Sequence, residues 1–407
     1  MNELYPCVAC QGGFEGMRLS ALVPESHTIF FCPPGCGRHT AISAIQNHYM
    51  DQTTYVLFND EELSLGLDNE DIVDTVIEVL SELERKPKAL FVYFCCVSYL
   101  IGVDEEMLLD MLREKKKDVV FQVLWMNPIC LGTSTSPGIT TYQRIFQLSD
   151  MTSEQTNSLN FIGGGKGIDR DCEIYEVLRK FGVGEINHFS ETTTFEEFRK
   201  LGKARWNIAI RPAVREVVES LSERMDYRVL KTTYDIDIVE KQYSEIFSMF
   251  GNSCDMTEYK KRTKELIKRA LKKIGDKRIA IGSSATMVPY DMARSLIRYG
   301  FNVTDVFCAG MPMDDSYQWL IDNTSIKISN IANKNMMDRK GKCGNADIAI
   351  GFSAGFFSGA ESVADISMDN GIFGYQGIQK LMKLLEESVK SPMTLESLAE
   401  KGGLVII

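Results

Sequence analysis

The chain has 407 residues, enough for two or three domains of about 150 residues with a full core. Charged residues make up 25% and hydrophobic ones 44%, the balance of a soluble globular protein. The net charge of −11 excludes a nucleic-acid groove, which needs clustered positive charge, and nucleic acid is not expected as a partner. No basic start followed by an apolar core marks a secretory signal, and the apolar run 89–103 is too short to cross a bilayer. A cytoplasmic chain with no membrane partner and with reduced cysteines is expected.

Strands and helices alternate along the chain. His27–Cys32 reads as an apolar strand, broken by Pro33-Pro34-Gly35 and followed by helical character over 37–49. Tyr55–Phe58 is a strand, and Asp71–Glu84 a helix with Ile72, Val73, Val76, Ile77 and Leu80 on one face. Ala89–Phe94 is a strand running into a loop, Glu105–Arg113 a helix capped by Asp104, and Asp118–Leu124 a strand. After a Ser/Thr/Gly-rich loop the theme restarts with strands near 159–162, 185–189, 206–210 and 227–231, and a helix near 171–181. Two charged helices over 235–275 lead to a third restart at Arg278-Ile279-Ala280-Ile281. Further strands follow near 303–307, 325–328 and 347–350, with Gln376–Val389 as a closing helix. Strands apolar on both faces, joined by amphipathic helices, indicate an α/β chain of parallel, doubly wound sheets. The three restarts divide it into an N-terminal domain over 1–150, a middle domain with a helical linker over 151–275, and a C-terminal domain over 276–407. The basic run between Lys260 and Lys273 reads as a solvated helix face.

Six of the eleven cysteines fall within the first 96 residues, as Cys7/Cys10, Cys32/Cys36 and Cys95/Cys96, each pair at a turn. Cys32–Cys36 spans a strand–helix break and Cys95-Cys96 ends another strand. In parallel sheets ligands gather beyond the carboxyl ends of strands, so these positions can converge. Cys36 lies near a helix start, where the dipole and free amides favour a thiolate. Soft thiolates select zinc, copper(I) or iron–sulfur clusters. Cys7-Val8-Ala9-Cys10 alone also fits a redox dithiol, and the first two pairs fit a zinc-ribbon spacing. Cys130, Cys172, Cys254, Cys308 and Cys343 read as small core residues.

Three stretches carry a resemblance: Cys10-Gln11-Gly12-Gly13-Phe14-Glu15-Gly16, Cys32-Pro33-Pro34-Gly35-Cys36-Gly37-Arg38-His39, and Cys96-x3-Leu100-Ile101-Gly102-x-Asp104. Together they resemble the nitrogenase component 1 family, which includes the molybdenum–iron protein subunits, their assembly scaffolds, light-independent protochlorophyllide reductase and the nickel-tetrapyrrole reductive cyclase. The resemblance covers nearly the whole chain and implies three Rossmann-like domains. It implies an iron–sulfur cluster, [4Fe–4S] or [8Fe–7S], held by Cys10, Cys36 and Cys96 at a subunit interface. Cys7, Cys32 and Cys95 are extra to the pattern and stand as neighbouring thiols, alternative ligands or packing. The implied partners are a related subunit or a second copy, an ATP-hydrolysing iron-protein reductase, and a small-molecule substrate in a cleft between domains. The apolar Phe30, Phe31, Phe91, Tyr93 and Phe94, near two of the cysteine turns, would supply a low-dielectric shell.

The chain also departs from the pattern. Where the subunit holding the iron–molybdenum cofactor has a cysteine after a middle-domain strand, this chain has Arg211-Pro212. That subunit presents a histidine from its last domain. Here His27, His39, His48 and His188 all lie earlier, and Met368-Asp369-Asn370-Gly371 offers no imidazole. No molybdenum–iron cofactor and no dinitrogen reduction are expected. Arg211 follows a strand end and is a candidate for binding an anionic substrate group. Gly163–Gly167 reads as a tight turn, since no Walker A spacing follows, and Gly282-Ser283-Ser284-Ala285 lacks a dinucleotide fingerprint. His39 reads as a helix-surface residue. A cofactor-assembly scaffold of the same family, or a zinc-stabilised binding protein, remain as alternatives to a redox enzyme subunit.

Overall fold

The computed structural model describes residues 14–58, 68–126, 137–150, 154–210, 214–215, 219, 226–308, 314–336 and 339–401. Among them the chain forms two compact units, one running up to Gly165 and including Glu185–Val229, the other made of Lys166–Gly184 and the chain from Leu230 onward.

The first unit holds two four-stranded sheets. Strands β1 (Ser26–Cys32), β2 (Thr53–Leu57), β3 (Ala89–Cys95) and β4 (Val120–Met126) pair in the order β2-β1-β3-β4, all parallel. Every residue of β1 and of β3 is buried. Both faces of a central parallel strand are covered by helices, which is why these segments lack polar alternation. The covering helices announce themselves locally. Asp68 caps the Asn69–Glu82 helix by accepting from the Glu70 amide at 3.1 Å, and Ile72, Val73, Val76 and Leu80 form its buried stripe. Asp104 caps the Glu105–Lys115 helix through the Met107 amide at 3.1 Å, as the sequence predicts. Pro34 occupies the first turn of the Pro34–Gln46 helix, where its missing amide hydrogen costs nothing.

The second sheet of this unit joins β5 (Thr156–Ile162), β6 (Glu185–His188), β7 (Ala204–Ala209) and β8 (Asp226–Val229) in the order β6-β5-β7-β8, again all parallel. Thr194 and Glu197 form a reciprocal capping box at the start of the Phe195–Lys200 helix.

The other unit is built on a five-stranded parallel sheet. Strands β9 (Ile279–Gly282), β10 (Val303–Cys308), β11 (Lys327–Asn330), β12 (Ile348–Ile350) and β13 (Ser362–Ala364) pair in the order β11-β10-β9-β12-β13. The Thr257–Ile274 helix buries Thr263, Leu266, Ile267, Ala270 and Ile274 and leaves Lys261, Lys264 and Lys268 exposed, so the basic run is a solvated face. Arg269 and Lys273 of that helix converge on Glu386 of the Gly374–Lys390 helix, at 2.7 and 2.6 Å.

The three parallel sheets of four, four and five strands are the α/β architecture expected from the apolar strands. The loop expected after the 89–94 strand is instead a five-residue helix, Cys96–Leu100. Strand β13 and the short Phe352–Ser358 and Leu395–Lys401 helices have no counterpart in the sequence reading. Three strand residues between glycine and polar neighbours hold too little hydrophobic periodicity to be read locally.

Candidate cysteine site

In each sheet the strand order reverses between two neighbours, β1/β3, β5/β7 and β9/β12. Crevices at the carboxyl ends of such strand pairs are where open α/β sheets bind ligands. The three reversal points differ in what they hold.

At the first, both strands end in cysteine. Phe31 of β1 lies opposite Phe94 of β3, so Cys32 and Cys95, the next residues, end the two strands abreast. Both are fully buried. Past Cys32 the chain enters the Pro34–Gln46 helix and places Cys36 in its first turn. Past Cys95 it enters the Cys96–Leu100 helix with Cys96 as the first helical residue. Cys36 and Cys96 are half-buried.

Each thiol is the largest influence on the other, holding Cys95 well below the ordinary thiol range and pushing Cys36 far above it. Burial opposes the change at Cys95, whereas the amide and hydroxyl of Ser98 and the amide of Val97 support it. Ser98 is itself fully buried with its Oγ 4.0 Å from the Cys95 sulfur. Burial, then the neighbouring Cys95, pushes the Cys32 thiol up to about 12. Cys36 also feels the sulfurs of Cys95, Cys32 and Cys96, in that order. Four of the six N-terminal cysteines thus collect at one sheet edge.

Cys7, Cys10 and Arg211 lie outside the described residues. Among the described residues no three His, Cys, Asp or Glu side chains are grouped closely enough to hold a metal ion. His39 is exposed on the Pro34–Gln46 helix. The aromatic shell is as expected and includes a member the sequence reading missed. Phe31 stacks near Phe94 at 5.4 Å, and Phe94 lies 5.2 Å from Trp125, which also meets Tyr99 at 5.9 Å. Nothing local marks Trp125, because its role comes from β4 lying beside β3.

The second and third reversal points are occupied by the protein itself. After β5, Gly163 and Gly164 take positive φ angles of 109° and 87°, and the Arg18 guanidinium lies against Gly165, where a Cβ would sit 2.9 Å from its Nη2. The stretch is a tight turn that a side chain at 165 would obstruct. After β9 and β12, Ser284 and Ser353 close on each other. The Ser353 amide donates to the Ser284 Oγ at 2.8 Å and the Ser284 amide to the Ser353 Oγ at 3.2 Å. Those amides are satisfied internally. The Met368-Asp369 segment is also spoken for. Both residues have positive φ, and the Asp369 carboxylate accepts from the Tyr234 hydroxyl at 2.6 Å and the Met287 amide at 2.8 Å.

Comparison with known proteins places this fold. The profile of the nitrogenase component 1 type oxidoreductases matches residues 15–390. Two solved structures, described as nitrogenase Cp1 at pH 6.5 and at pH 5, are similar with TM-scores of 0.72 and 0.64 at 14% sequence identity. The alignments cover 96% of this chain and 94% and 90% of theirs, so the likeness extends over the full fold. No curated protein matches the sequence. On the extent of the profile match, the chain belongs to the nitrogenase component 1 type oxidoreductase family.

Proposed function

We propose that the chain is a component 1 subunit that holds an iron–sulfur cluster on Cys10, Cys36 and Cys96 and reduces a small molecule other than dinitrogen. Its electrons would come from a separate, ATP-hydrolysing iron-protein reductase, and it would pair with a related subunit or with a second copy of itself. The observation that carries this reading is the gathering of cysteine sulfurs at the β1/β3 reversal point of a chain in this family.

The donor set fits the group. Thiolates are soft ligands suited to iron–sulfur clusters. Bound there, a [4Fe–4S] or [8Fe–7S] cluster would supply one-electron exchange. The residues of the chain do the rest. Buried Phe30, Phe31, Phe91, Tyr93 and Phe94 exclude water from the base of the site, and solvent access and dielectric set the potential of such a centre. The sequence has no Walker A loop, which supports assigning ATP hydrolysis to a separate reductase. The last unit offers no histidine, and Asp369 is held by Tyr234 and Met287, which supports a substrate site without a molybdenum–iron cofactor.

The test is anaerobic purification with iron and acid-labile sulfide quantified and an EPR spectrum of the reduced protein, before and after Cys36→Ala. The expected result is iron and sulfide in the parent and loss or remodelling of the signal in the variant. An unchanged signal, or zinc without iron and sulfide, would refute the assignment.

A further inference from the structure

We propose that Arg18 is the receptor for a carboxylate group of the substrate, beside the loop that leaves β5 at the β5/β7 reversal point. The inference rests on the reading above, that the chain reduces a small molecule, and it names the chemical class of that molecule. The group that fills this reversal point is a guanidinium, and its partners decide what it recruits.

Arg18 stands on a short helix, Phe14–Ser20, that is fixed to the first sheet at two points. Gly16 lets that helix close on β3, because a Cβ there would run into the Tyr93 hydroxyl. The Ser20 hydroxyl donates to the Met17 carbonyl at 2.8 Å and lies 3.0 Å from the Thr28 Oγ1 of β1. Arg18 sits between these two anchors, so its side chain leaves the helix from a rigid base. The guanidinium lies over Gly165, three residues past the end of β5, where a Cβ would stand 2.9 Å from its Nη2. The Ile210 amide donates to the Ile162 carbonyl at 3.0 Å, which brings the end of β7 alongside.

The charge on this group is unbalanced. Arg18 is half-buried, and among the described residues no carboxylate pairs with it. Arg144 and Arg294, also half-buried, are held by Glu105 at 2.7 Å and by Asp235 at 3.3 Å. A cation withdrawn from water without a counter-ion costs free energy, which an arriving anion recovers. None of the Arg18 nitrogens is sealed from solvent without an acceptor, and none donates to a described protein group, so its donors face open space. Beside it, the buried Gly164 and its neighbour Gly165 present amides that meet no acceptor among the described residues. A planar fork with free amides next to it matches the two oxygens of a carboxylate. A single positive charge also favours carboxylate over phosphate. Lys166, the next residue, is engaged by Asp169 at 3.2 Å, and a phosphate dianion would stay half-neutralised.

The test uses the full chain, isolated anaerobically, with benzoate, succinate and inorganic phosphate as probes. Arginines are labelled with phenylglyoxal, and the peptide carrying Arg18 is quantified by mass spectrometry with and without each probe. The same probes are then titrated calorimetrically into the parent, Arg18→Gln and Gly165→Ala. Benzoate or succinate is expected to slow labelling at Arg18. Arg18→Gln is expected to weaken their binding about tenfold or more, the worth of a charge-assisted hydrogen-bonded pair. Gly165→Ala, which keeps the arginine but pushes its guanidinium aside, should weaken it as well. Labelling at Arg18 that neither acid slows, or an Arg18→Gln protein that binds them as the parent does, overturns the inference. Slowing by phosphate alone overturns the carboxylate assignment. If Arg18→Gln fails to fold, protection in the parent and binding by Gly165→Ala decide. None of these readouts needs a cluster, so failure here leaves the iron, sulfide and EPR test of the cluster standing. A chain without iron and sulfide still shows whether Arg18 is protected.

Discussion

His27 offers a quantitative test of how the first sheet is held together. It is the second residue of β1, only 7% exposed, and its Nε2 lies 2.8 Å from the Thr54 Oγ1 on β2. Burial lowers its pKa from 6.5 to about 4, with Asp51 working in the opposite direction. The folded state therefore holds the ring neutral, and the unfolded chain takes up a proton first as the pH falls. The contribution is complete above 6.5 and is lost on the way down toward 4. Linkage between those two values removes about 2 kcal/mol of stability between about pH 7.5 and about pH 5, and about 3 kcal/mol by about pH 4. The measurement is guanidinium unfolding of the parent and His27→Gln across this range, with hydrogen exchange of β1 peptides to confirm that the transition belongs to this sheet. The glutamine keeps a polar group toward Thr54 but does not titrate. The stability gap between the two proteins should shift by about 2 kcal/mol in favour of the variant on acidification to about pH 5. A gap that stays constant with pH would show that His27 is protonated as easily in the folded chain as in the unfolded one.

Two further predictions concern the other unit. Glu173 is 4% exposed and accepts from the Tyr243 hydroxyl at 2.7 Å and from the Tyr375 and Gln376 amides at 2.6 and 3.1 Å, at the start of the Gly374–Lys390 helix. Glu173→Leu leaves two buried donors and one half-buried donor unmet and should cost about 3 kcal/mol or more, read as a lower guanidinium midpoint with faster exchange over 374–390; a loss below about 1 kcal/mol would show that water replaces the carboxylate. Gly282→Ala places a methyl group against the Ser353 hydroxyl and 2.5 Å from the Ala354 amide nitrogen, which is backbone and cannot step aside. It should lower stability by about 1–3 kcal/mol by parting the Ser284–Ser353 clasp, and a melting temperature equal to the parent's would contradict that packing.

Much of this protein is legible from neighbouring residues. The apolar strands, the caps at Asp68 and Asp104, the solvated face of the Thr257–Ile274 helix and the turns around Cys36 and Cys96 each depend on a few consecutive side chains. Local propensity, periodicity and capping act over about one or two helical turns, so a single sequence exposes them. The site required more than that. The sequence places Cys95-Cys96 at a strand end, yet only the pairing of β1 with β3 sets Cys95 beside Cys32. The same applies to Trp125 against Phe94, Arg18 against Gly165, and the carboxylate of Asp369 claimed by Tyr234. The order β2-β1-β3-β4 sets which strand ends become neighbours, and it follows from burying whole faces of sheet and helix together. Segments tens of residues apart meet only through that burial, so no window along the chain could have shown which sulfur faces which.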